Sequence, residues 1–132
     1  MHLRIDGLPK PQGSKRVFNG RIVEASGNAL KVWRKAIADA CQANVNEEHK
    51  LLVGPVRVEV DFYLPRPKTV KLKDRGLPTV PPDLDKLARG LLDGIGQSEV
   101  VWGDDSQVVE LIARKHYDDV MPQGAIVTVT AF

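Results

Sequence analysis

The sequence is poor in several features, and each shortage closes a route. A single cysteine, Cys41, allows no internal disulfide and no cysteine zinc cluster. It also gives no reason to place the chain in an oxidising compartment. Its place in a helical pattern makes it buried filler. The three histidines, His2, His49 and His116, are scattered without metal-ligand spacing. Ser14 and Ser106 have no visible histidine partner for nucleophilic chemistry. There is no internal repeat, no glycine-rich dinucleotide fingerprint and no phosphate-binding P-loop, so no organic cofactor is expected. No apolar run reaches the ~20 residues of a membrane-spanning helix. The start, Met1-His2-Leu3-Arg4-Ile5-Asp6, lacks the apolar core of a signal peptide. The expectation is a soluble cytoplasmic protein with no membrane association.

What is present suits one domain over residues 1–132. Hydrophobic residues at 42% are enough for a core, and charged residues at 27% are too balanced for wholesale disorder. The net charge of +2 says little, but its distribution says more. From 10 to 35 the basic residues are Lys10, Lys15, Arg16, Arg21, Lys31, Arg34 and Lys35, against Glu24 alone. A second basic run spans 66 to 75, with Asp74 its one acid. The acids gather instead at Asp83, Asp85, Asp93 and Asp104-Asp105. Basic segments flanking an acidic cluster suit a polyanion held around a metal, although each lysine taken singly reads equally well as solvated surface.

Periodicity predicts a small α/β (α+β) fold: a mixed or antiparallel sheet with two main helices packed on it. Leu3 and Ile5 alternate with polar neighbours, giving a short strand over 2 to 6. A loop rich in proline and glycine follows, and Asn19-Gly20 fits the turn of a small hairpin. Leu30, Trp33, Ile37, Ala40 or Cys41, and Val45 form one helical stripe from 29 to about 45, with Asn28 or Ser26 to cap it. Residues 56 to 64 alternate valine, phenylalanine and leucine with charged residues, which is a strand with one buried face. A long loop spans 65 to 82. Leu84, Leu87, Ala88, Leu91, Leu92 and Ile95 then make an amphipathic helix, capped by Asp83 and stopped at Gly94 or Gly96. Two strands, 107 to 117 and 125 to 132, close the chain. Trp33 and Trp102 read as core or loop anchors.

The chemistry concentrates in Pro82-Asp83-Leu84-Asp85 and Gly103-Asp104-Asp105-Ser106-Gln107. In extended chain, residues two apart point to one side, so Asp83 and Asp85 can converge at a loop-to-helix junction. Inside a helix they would diverge by about two hundred degrees. The second pair also precedes a strand, so a sheet edge could bring Asp104 or Asp105 beside the first. Hard cations such as Mg²⁺ take a few carboxylates and leave sites for water and phosphate. Arg89, four residues after Asp85, is placed to meet a phosphate or a carboxylate. An aspartate at a helix start and an Asp-Asp turn are also ordinary capping and turn chemistry. Chemistry alone stops at a Mg²⁺-dependent phosphate enzyme.

The motif order carries further. Gly7-Leu8-Pro9-Lys10, then Leu64-Pro65-Arg66, Pro82-Asp83-Leu84-Asp85-Lys86-Leu87-Ala88-Arg89 and Trp102-Gly103-Asp104-Asp105-Ser106-Gln107-Val108-Val109 resembles the RusA-like Holliday junction resolvases over nearly the whole chain. The resemblance implies catalytic aspartates at Asp83, Asp85 and Asp105, with Asp104 as a supporting acid and these four as the metal set. It implies Mg²⁺, with Mn²⁺ as a substitute, a homodimer, and branched DNA as partner. Resolution of a four-way junction by paired symmetric nicks is the implied activity. Lys10, Lys15, Arg16 and Arg21 are the expected phosphate contacts. Two positions depart from the family: Arg89 stands where it has its catalytic lysine, and Lys86 where it has asparagine. Arginine keeps the charge but does not give up a proton, and Lys86 is the available amine. These departures keep two alternatives open: a non-catalytic branched-DNA-binding protein of the same fold, and a nuclease for other branched DNA.

Overall fold

Strand β4 (Val56–Leu64) organises the architecture, because its alternating sequence gives it one wholly apolar face. Val56, Val58, Val60, Phe62 and Leu64 are all buried. A computed structural model describes the backbone of residues 1–13, 15–18, 21–24 and 27–132, and the side chains of residues 1–13 and 27–132. Strand β6 (Gly124–Ala131) pairs antiparallel with β4, setting Val58 beside Val129 and Val60 beside Val127. Strand β1 (His2–Asp6) pairs antiparallel with the other side of β6. Strand β5 (Val108–Tyr117) pairs parallel with the free side of β4. The result is the mixed sheet expected, in the order β1-β6-β4-β5. A separate hairpin joins β2 (Lys15–Phe18) to β3 (Arg21–Glu24), and its Asn19-Gly20 connection lies outside the described residues.

Both helices cover one face of the sheet. Helix α1 (Gly27–Ala43) buries Leu30, Trp33, Ile37, Ala38 and Cys41. Helix α2 (Leu84–Ser98) buries Leu87, Ala88, Leu91 and Ile95. Of these, Trp33, Ile37, Cys41, Leu87, Leu91 and Ile95 meet Leu3, Ile5, Val58, Phe62, Val127 and Val129 in one cluster. The opposite sheet face carries charged cross-strand pairs. Arg57 meets Glu110 at 2.9 Å, Arg114 meets Glu59 at 2.8 Å, and His116 Nε2 lies 2.8 Å from Asp61. His116 also stacks on Tyr63.

Three local expectations change. Helix α1 begins at Gly27, so Asn28 is inside it rather than its cap, and Ser26 lies outside the described residues. Asp83 occupies the cap position of α2 but makes no side-chain capping bond. Gly94 and Gly96 do not stop α2, which continues to Ser98 and ends through Glu99 at φ 61°. Gly94 is there for contact: a Cβ would sit 2.9 Å from Cβ and Cδ1 of Ile37, so its absence lets the two helices approach. Gly94→Ala gains about 1 kcal/mol of helix propensity but costs ~1–3 kcal/mol of overpacking. The expected net result is a lower Tm, read by thermal melts of the two proteins side by side.

Candidate active site

The segment after α2 is held by its neighbours rather than by regular structure. Leu52 N–H donates to Val101 O at 2.8 Å, and the His49 ring meets Val100 O. Gln107 ties the segment to the approach to β4. Its amide nitrogen donates to Leu52 O and Gly54 O at 2.9 and 3.0 Å. Its amide oxygen accepts from Gly103 N and Asp104 N at 2.9 and 3.1 Å. Every hydrogen-bonding site of that amide is thereby used. Asp104 caps the short 3-10 turn Asp105–Gln107 by accepting from Ser106 N at 2.8 Å. Hydrogen bonds from the Ser106 backbone and side chain hold the Asp104 carboxyl below its ordinary range.

Asp105 is the most constrained of the acids. Trp102 is buried, and its indole N–H donates to Asp105 Oδ1 at 2.9 Å. Gly96 leaves room on α2 for this carboxylate, since a Cβ there would lie 3.0 Å from Asp105 Oδ1. Burial pushes the Asp105 carboxyl up; the Trp102 bond opposes this, and the nearby Asp93 carboxylate adds to the rise.

Asp105 opens onto a groove of about 640 Å³ shared by Gln12, Arg34, Arg89, Asp93 and Asp104. The N-terminal loop enters by crossing α2. Gln12 N–H donates to Lys86 O at 2.9 Å, and a Cβ on Gly90 would stand 3.1 Å from Lys10 O. Arg34 Nη1 reaches Gln12 Oε1 at 3.5 Å from α1. Of the residues singled out in the sequence, the structure brings Arg89, Asp104 and Asp105 together here and carries Lys10 nearby on the crossing loop. It adds Gln12, and gives a place in the groove to Asp93 and Arg34, which the sequence showed only as members of the acidic and basic groups. Asp93 was legible, being four residues beyond Arg89 on one helix flank. Gln12 carries no local signal, and nothing local places Arg34 at this groove, because folding alone brings them in.

Asp83 and Asp85 lie elsewhere. Asp83 is exposed, with Lys86 Nζ 3.9 Å from its Oδ2, and Asp85 is exposed on the first turn of α2. Lys115 Nζ fixes the approach by donating to Val80 O and Pro82 O, each at 3.0 Å. The expected meeting of the two acidic pairs at a sheet edge does not occur within the chain. The parallel pairing of β4 and β5 makes α2 run back across the sheet, so its two ends stand at opposite sheet ends. Asp85 and Asp93 are eight residues apart, about 12 Å along a helix. Among the described residues, no three acidic, histidine or cysteine side chains gather as a metal set. The side chains of Lys15, Arg16 and Arg21, on β2 and β3, lie outside the described residues.

Asp105→Asn should stabilise the fold at neutral pH. A raised carboxyl pKa means that the neutral form is favoured in the fold. Its contribution is present below the ordinary carboxylate range and is lost as pH climbs through the raised value. Asparagine stays neutral and can still accept from Trp102. Melts from pH 4 to 8 should show a Tm difference that grows with pH and closes at the acid end.

The chain is 30% identical over 124 residues to "Uncharacterized protein YqaN" of Bacillus subtilis (strain 168), covering 86% of this chain and 84% of that protein. Residues 6–130 match the family described as Endodeoxyribonuclease RusA, a range that takes in both acidic motifs, the crossing loop, β4 and β5, and nearly all of β6. The chain thus belongs to the RusA family of endodeoxyribonucleases.

Proposed function

We propose that the protein is a Mg²⁺-dependent, structure-specific endonuclease that works as a homodimer on four-way (Holliday) DNA junctions and resolves them by paired symmetric nicks. The observation that carries this reading is the division of its acids. Asp83 and Asp85 sit at one end of α2, and Asp105 is clamped at the other by Trp102 and Gly96. The ~12 Å of helix between Asp85 and Asp93 exceeds what one ion with ~2 Å oxygen contacts spans. Two copies related by a two-fold axis, each offering one end of α2 to the other, give a complete acidic set twice. A junction with near two-fold symmetry presents two strands to such a pair.

The donors fit a hard divalent cation. All are carboxylate oxygens, and the charged form of Asp105, disfavoured first by burial and then by the nearby Asp93, is one that a cation stabilises. Asp83, Asp85 and Asp105 would hold the ion, with Asp104 as a supporting acid. The bound ion supplies charge stabilisation and a more acidic water. Asp104, fixed by Ser106, keeps the 3-10 turn and so the aim of Asp105. Arg89 neutralises the phosphate without proton transfer. Lys10 and Lys86, with Lys15, Arg16 and Arg21 of the hairpin, contact flanking phosphates and make affinity fall with salt.

The test uses a labelled four-way junction and a linear duplex with Mg²⁺ or Mn²⁺. Paired nicks in the junction alone are expected. Asp83→Asn and Asp105→Asn should each lose ~10²-fold or more, the scale of one lost preorganised contact. Mixing these two inactive variants should restore single nicks, because one of the two shared sites in the mixed dimer is intact. No recovery on mixing would place each site within one chain. Junction binding with no cutting by the unaltered protein would instead identify a binding module. In the same assay Arg89→Lys should stay within about tenfold of the parent, whereas Arg89→Ala should fall by ~10²-fold, as expected for an electrostatic role.

A further inference from the structure

We propose that a second site, a proline-walled pocket beside Asp83, takes one unstacked nucleobase of the DNA next to the phosphate that is cut. This rests on the nuclease reading above and names what that active site recognises. The pocket holds about 280 Å³. Seven of the chain's nine prolines line it, among them Pro9 and Pro11 from the N-terminal loop and Pro78, Pro81 and Pro82 from the long loop. Tyr117, at the end of β5, is part of its wall.

Three observations select a base as the occupant. The first is size. Sites for drug-sized ligands run to ~300–1,000 Å³, so this pocket suits one flat ring system and not a length of peptide. The second is rigidity. Proline has a fixed φ and offers flat apolar rings, so the walls need little ordering on binding. Both sides are also tied down. Lys115 holds Val80 O and Pro82 O, and Arg66 pairs with Asp119 at 2.6 Å while its guanidinium lies 4.1 Å over the Tyr117 ring. The third is charge and place. Lys10 lines the pocket, and Arg75 lies 5.7 Å from the Tyr117 ring, so cations stand where the phosphates flanking an inserted base would run. Pro82 is also the residue before Asp83, which sets the pocket against the acidic motif.

A base inside duplex cannot enter such a pocket without unstacking, which costs a few kcal/mol and least where pairing is already broken. A branch point supplies bases of that kind. The pocket therefore favours branched over linear DNA and fixes which phosphate faces the acids.

The experiment places 2-aminopurine, in turn, at each nucleotide around the nick in a four-way junction, with Ca²⁺ in place of Mg²⁺. Val80→Trp and Leu8→Trp fill the pocket from partly exposed positions, and either suffices if the other fails to fold. The parent protein should brighten the probe several-fold at one or two nucleotides beside the cut phosphate. The filled variants should lose that signal, the preference for one cut position and the preference for junction over duplex, while binding linear duplex within about threefold of the parent. Binding and cutting with no brightening at any nucleotide overturns the inference and leaves the pocket to another occupant, such as an apolar side chain of a protein partner. Brightening that survives in both filled variants also overturns it, since the base then lies elsewhere. Failure of the parent to bind or cut four-way DNA at all is a different result: it removes the nuclease reading itself.

Discussion

The parallel pairing of β4 with β5 is the constraint on which the rest depends. Parallel neighbours require a crossover, and here the crossover is the long loop, α2 and the segment before β5. Both acidic motifs lie on that one connection. Because the helix must return across the sheet, the motifs are carried to its two ends, and the apolar stripe that packs α2 against β4 locks them there. Hydrophobic packing thus decides the spacing of the charged groups.

The two ends are built differently. At the Asp105 end the carboxylate is gripped by an indole, a glycine gap and a turn tied down by the fully bonded side-chain amide of Gln107. That is a preorganised group with a raised pKa, the kind of perturbation that concentrates at functional sites. At the Asp83 end the acids are open to solvent and their support is indirect, through Lys115 and the proline loop. One end is fixed and dry on one side; the other is wet and placed by a rigid approach.

Much of this was legible in the chain. The alternation from Val56 to Leu64 gives the central strand, and the spacing of Leu84, Leu87, Leu91 and Ile95 gives the face of α2. Gly94 and Gly96 were misread as a helix stop, because glycine signals a helix end and a close approach in the same way. Only the packing distances to Ile37 and Asp105 separate the two meanings. The distance between the acidic pairs was hidden for a related reason: nothing local says that β5 runs parallel to β4. Arg34 and Gln12 reach the groove only through the packing of α1 and the loop that crosses at Gly90.

The bare face of the sheet has a consequence for how a polyanion meets the molecule. There the arginines are already matched across strands: Arg57 with Glu110, and Arg114 with Glu59 and Asp61. Such self-cancelling pairs project little field beyond a Debye length of about 8 Å at physiological salt. A long-range pull on phosphates then comes from the other side, where the crossing loop carries Lys10 over α2. The sheet therefore gives the protein a front and a back: charge cancelled within cross-strand pairs on one, and the basic crossing loop beside α2 on the other.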